Sequence, residues 1–173
     1  TPMKHTTSPS TGTCNSTLIL AGSIAALLAL VPPSAPAATL NKANNTTDLN
    51  LPASWLTTAP GIADIAQWTS TVTAANSTLL GEDLSWGGIK IVGPGGLVTL
   101  GAGNTLTIGA SGIDLSTATQ NLTLSCGLAL QGKQSWKAAA GRTLNVAGTF
   151  TRGRAVVDFT GFTATATLGT LAN

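Results

Sequence analysis

Charge, histidine and cysteine are all scarce in this chain. Lys, Arg, Asp and Glu together make up 8% of its 173 residues, against 43% hydrophobic residues, so Thr, Ser, Asn and Gly must cover most of the surface. The formal net charge is +2 and Arg152 with Arg154 is the only close basic pair. A face that neutralises phosphates is missing, and nucleic acid is not an expected partner. The single histidine is His5 and the cysteines are Cys14 and Cys126. A hydrolase nucleophile needs a base beside it and the Gly-x-Ser-x-Gly setting, which does not occur here. No phosphate-cradling loop is present either, because Gly101-x-Gly103 runs into Asn-Thr-Leu instead of a helix carrying Lys-Ser/Thr.

The N-terminal residues read as a secretory leader. Met3 and Lys4 form a short positive start, Leu18 to Val31 an apolar run of about 14 residues, and Ala35-Pro36-Ala37 a small-x-small cleavage site. Thr1 and Pro2 then stand as an upstream remnant, and residues 1–37 as a signal-peptide helix removed near Ala37. The apolar run is too short for a helix to span a bilayer core of about 30 Å, so no membrane span is expected in the mature chain. A retained amphipathic or buried helix is the alternative. Cleavage removes His5 and Cys14, which leaves Cys126 without a disulfide partner or an imidazole base and makes it a buried structural thiol.

Abundant Thr favours pleated strands over helices, because β-branched side chains lose little rotamer freedom there. Residues 38–80 form a turn-rich lead-in or cap, with segments around Trp55 and Trp68 that can pair as strands across the turn at Ala59-Pro60-Gly61. From residue 81 to 173 short apolar-x-apolar triplets recur: Ile89/Ile91, Val98/Leu100, Leu106/Ile108, Ile113/Leu115, Leu122/Leu124, Leu128/Leu130, Leu144/Val146 and Val157/Phe159. Each places two apolar residues on one face of a strand, and Gly, Asn and Ser between them mark turns.

Asn-Thr-Leu-Thr-Ile at Asn104, Asn-Leu-Thr-Leu at Asn121 and Arg-Thr-Leu-Asn-Val at Arg142 share wording. Their leucines, Leu106, Leu122 and Leu144, are 16 and 22 residues apart, which suits one coil of a solenoid better than a propeller blade of about 40. One coil alone leaves its triplets half-buried and both backbone edges unpaired; a coil stacked at about 4.8 Å repairs both faults. The expected fold is therefore all-β, a right-handed parallel β-helix of roughly three coils. No polar cap follows Leu171-Ala172-Asn173, which suggests a fragment of a longer array. An antiparallel β-sandwich accommodates the same alternation; the reiterated Thr-Leu-x-Val/Ile wording favours the solenoid.

Paired carboxylates are the one catalytic geometry to consider. Asp114 and Asp158 each sit mid-triplet, aimed outward, and on neighbouring coils they would face one cleft as in a polysaccharide lyase or hydrolase. A solvated outer face is the plainer reading. Glu82-Asp83 offers two oxygen ligands to Ca²⁺, and Gly109 to Leu115 partly matches a β-roll nonapeptide without its leading Gly-Gly; neither makes a complete metal site. Trp55, Trp68, Trp86 and Trp136 can grip a glycan or a protein if exposed, or pack the core. No catalytic, cofactor-binding or metal-binding residue is assigned, and no enzymatic activity is expected.

Taken in order, several motifs carry a resemblance. They are Ser54-Trp55, Pro60-Gly61-x-x-Asp64-x-Ala66-x-Trp68, Trp86-Gly87-Gly88-Ile89, Gly112-Ile113-Asp114-Leu115-Ser116 and Gly132-Lys133-Gln134-Ser135-Trp136, the last running into Ala140-Gly141-Arg142-Thr143-Leu144-Asn145-Val146-Ala147-Gly148. In that order they resemble bacterial proteins with autotransporter-associated β-strand repeats, over nearly all of residues 38–173. The resemblance implies a passenger-type parallel β-helix, secreted or held at the outer membrane and cell surface. It also implies dependence on outer-membrane export machinery, possible contact with surface glycans or proteins, and no catalytic residues. The membrane barrel and sorting tail of the full pattern are not among these motifs.

Overall fold

The computed structural model describes residues 36–172. The leader helix expected over residues 1–37 therefore lies outside the described residues, apart from its last two positions. Fourteen strands follow one another: β1 (Thr39–Asn41), β2 (Ile65–Trp68), β3 (Asn76–Thr78), β4 (Leu84–Ile91), β5 (Val98–Leu100), β6 (Thr105–Leu115), β7 (Leu122–Leu124), β8 (Gly127–Leu130), β9 (Lys133–Ala138), β10 (Thr143–Val146), β11 (Phe150–Thr151), β12 (Val156–Asp158), β13 (Thr165–Leu168) and β14 (Leu171–Ala172). The expected triplets reappear as strands, the last shifted by one residue: β12 centres on Val157 and leaves Phe159 half-exposed beyond its end.

All ladders between these strands are parallel, which decides for the solenoid and against the sandwich. One sheet runs β1-β2-β4-β6-β8-β11-β14, with β9 pairing both β6 and β12; the other runs β13-β10-β7-β5-β3. Register is set by like residues. Leu84 pairs with Leu106, Leu106 with Leu128 and Leu128 with Phe150, 22 residues apart each time. Val98, Leu122 and Leu144 form a second interior column, and Ile89, Ile113 and Trp136 a third. These side chains are buried and form one continuous cluster, so the favourable terms are apolar burial and the ladder bonds between coils.

The stack has about six turns, not three. Coils were undercounted because only aliphatic triplets were scored. Ala66/Trp68, Asn76/Thr78, Gln134/Trp136 and Phe150 fill the same inward positions with other side chains. The spacing of 16 between Leu106 and Leu122 is likewise not a coil. Leu106 belongs to the sheet of β6, Leu122 to that of β7, and only Leu122 to Leu144 is a true repeat.

Within the lead-in the two Trp segments do not pair with each other. β2 joins the stack between β1 and β4, while Trp55 makes an antiparallel bridge to Lys42. Ala43 N–H donates to Ser54 O at 2.9 Å and Leu56 N–H to Asn41 O at 2.9 Å, so this segment satisfies the outer backbone edge of β1. The turn expected at Pro60-Gly61 is closed by Asp64, whose Oδ2 accepts from Gly61 N–H at 2.8 Å.

Candidate functional site

All four tryptophans are buried, which removes the exposed platform a Trp-mediated adhesin needs. Trp55, Trp68 and Trp86 form a cluster with ring centroids 5.7 to 6.3 Å apart, two of the three contacts edge-on. Trp136 Nε1 donates to Gln134 Oε1 at 2.8 Å, and Gln134 Nε2 in turn donates to Ile108 O at 3.2 Å on the preceding coil.

Asp114 and Asp158 point outward, as the triplet pattern predicts, but they are not on neighbouring coils. One coil on from Asp114 lies Lys137, whereas Asp158 pairs with Ser135, which stands two residues earlier on the same strand. The two carboxyls are thus two coils apart, about 10 Å along the axis, and offset along the strand. Asp114 Oδ1 accepts from Ser116 N–H and from its hydroxyl at 2.9 and 2.6 Å. Asp158 Oδ1 accepts from Thr160 N–H at 2.8 Å. Hydrogen bonding by Thr160, followed by the positive charges of Lys133 and Lys137, holds Asp158 below the usual carboxylate range.

Asp158 lines a solvent-open groove of about 240 Å³ with Ala110, Lys133, Gln134 and Ser135. Three successive coils contribute, through β6, β9 and β12, and Asp114 is not among the lining residues. Alternation along β9 explains the placement: Lys133, Ser135 and Lys137 face out while Gln134 and Trp136 face in. The spacing rule that finds this groove is the 22 to 24 residue period, which the 16-residue count obscured.

Other polar groups are engaged in holding coils together. Asp83 Oδ1 accepts from Thr105 N–H at 2.7 Å and Asn121 Oδ1 from Thr143 N–H at 3.0 Å, each one coil ahead. Asp83, half of the acidic pair considered for Ca²⁺, is thereby an inter-coil staple. Cys126 is buried, and burial pushes its thiol up to about 11, so it is protonated at neutral pH.

Lys42 is the residue sequence reasoning overlooked. It is buried, with Nζ donating to Ala43 O at 3.0 Å, Asn45 O at 2.8 Å and Asn45 Oδ1 at 2.8 Å. Burial lowers its pKa from 10.5 to about 8. Between those values the unfolded chain holds a proton the folded chain has shed, so this residue makes stability rise with pH across the window. As pH falls through 8 that contribution is lost. Cys126 acts in the opposite direction above its ordinary pKa, but equally in wild type and Lys42→Met. Urea midpoints at pH 7 and pH 10 should therefore rise more in the wild type than in Lys42→Met; parallel changes would refute the assignment.

Compared with protein-family models, characterised proteins and solved structures, the chain finds no match.

Proposed function

We propose that this chain is a non-enzymatic scaffold displayed or released outside the cell, of the passenger β-helix kind. The supporting observation is how its polar side chains are used. Asp64, Asp83, Asn121, Asn76 and Gln134 satisfy backbone or indole groups of neighbouring segments instead of converging on a common point. Such a stack gains rigidity with every coil, and its uncharged Thr and Ser walls suit an exported rod. A carbohydrate-cleaving reading requires one carboxyl raised to serve as acid. Asp158 is shifted the other way and is fully exposed.

Export is tested by fusing alkaline phosphatase, active only outside the cytoplasm, to the C-terminus of the full chain in a bacterial host. Phosphatase activity that disappears when residues 1–37 are deleted supports the reading; activity that never appears overturns export. Screening purified protein against neutral and acidic polysaccharides tests the non-enzymatic half. Turnover abolished by Asp158→Asn would refute it.

A further inference from the structure

The geometry points to the groove over β6, β9 and β12 as a binding site for an acidic polysaccharide whose carboxylates alternate with free hydroxyls. This goes beyond the scaffold reading and does not depend on export, since the groove belongs to the folded coils themselves.

Charge is segregated along the solenoid. Asp48, Asp64, Glu82 and Asp83 all precede residue 84, whereas Lys133, Lys137, Arg142, Arg152 and Arg154 follow residue 132, where Asp158 is the single acid. Four of those five cations gather at the groove. Lys133 lines it, Lys137 stands two outward positions further along β9, and both are close enough to act on the Asp158 carboxylate. Val156 pairs with Lys133, so the tight turn carrying Arg152 and Arg154, closed by Ala155 N–H to Arg152 O at 3.0 Å, runs along the groove's end. Asp158 takes its hydrogen bond from Thr160, which leaves the lysine ammonium groups directed to solvent.

The lining is also held rigid. Gln134 is fixed at both ends of its amide by Trp136 and Ile108, and the small side chains of Ala110 and Ser135 leave the groove open. A preformed site loses little entropy on binding. The charge density selects the ligand. Nucleic acid and polyphosphate carry charges far closer together than this sparse set of cations can neutralise, and Asp158 repels them. A uronate polymer spaces its carboxylates with hydroxyl groups, which suit Ser135 and the acceptor oxygens of Asp158.

The test is binding of the purified full chain to polygalacturonate, with dextran, polyphosphate and polyglutamate as comparison polymers. Binding to polygalacturonate should exceed binding to the other three and weaken as salt is raised. Lys133→Ala and Lys137→Ala should each weaken it about two- to fivefold, the range of a solvent-exposed ion pair. Asp158→Asn should strengthen it. Arg142→Ala, which removes a cation bonded to Thr119 O on the other sheet, should leave it unchanged. Circular dichroism of each variant verifies the fold. Equal binding to polyglutamate, or equal loss in Arg142→Ala and Lys133→Ala, would show attraction by net charge alone and overturn the site.

Discussion

Trp68→Ala should lower the unfolding free energy by about 3–5 kcal/mol, the range for deleting a fully buried aromatic side chain. Trp68 is completely buried against Trp55 and Trp86, with centroids at 5.7 and 6.3 Å, so its loss leaves a void that two rigid rings cannot fill. It also frees a polar network. Trp68 Nε1 donates to Asn76 Oδ1 at 3.0 Å, Asn76 Nδ2 donates to Asn45 O at 2.8 Å, and that same carbonyl accepts from Lys42 Nζ. Trp68→Phe keeps most of the packing and removes only the indole N–H, and should cost about 1–2 kcal/mol. Urea unfolding followed by far-ultraviolet circular dichroism measures both. Because each coil touches only its neighbours, hydrogen exchange should speed up first in β1 to β3 while the ladder of β7 with β10 keeps its protection. Uniform loss of protection along the chain would mean that the cap is not a separate layer of the stack.

The interior of the solenoid was legible in the sequence because burial leaves a local mark. Leu122/Leu124 and Leu144/Val146 alternate, repeat at 22 residues and stack as the pattern predicts. Coil count and the pairing of Leu106 were not legible. All faces of a coil use the same apolar-x-apolar grammar, so similarity within a coil mimics similarity between coils. Rungs with an inward Trp, Asn or Gln carry no aliphatic mark at all. The groove was harder still. Ala110, Lys133 and Asp158 come from three different coils, and only the true period brings them together. Asp158 was recognised as outward-facing, but its partner in the groove is Lys133, not Asp114. Lys42 gave no local signal, because its burial depends on carbonyls arranged by the turn from Ala43 to Asn45.

Gly112→Ala is expected to be nearly as damaging as the loss of a core side chain, although it adds a single methyl group. Gly112 has φ +65°, where an L side chain costs about 1–2 kcal/mol. A Cβ there would also lie 2.1 Å from Ser135 O on the next coil, a contact with backbone that no rotamer relieves. On its other side Gly112 O is already 2.7 Å from where a Cβ on Gly88 would stand, so coils crowd at this corner in both directions. Relief requires β9 to move away from β6, straining the rung from Ile113 to Trp136, for about a further 1–3 kcal/mol. Gly132→Ala separates the two costs. Gly132 has φ +70° with nothing within 4 Å of a Cβ, so it carries the conformational cost alone. Urea midpoints of the two variants should place Gly112→Ala clearly below Gly132→Ala. Since Ser135 lines the groove, Gly112→Ala should also weaken polygalacturonate binding under conditions where it remains folded, whereas equal stability of the two variants would contradict the close approach of these coils.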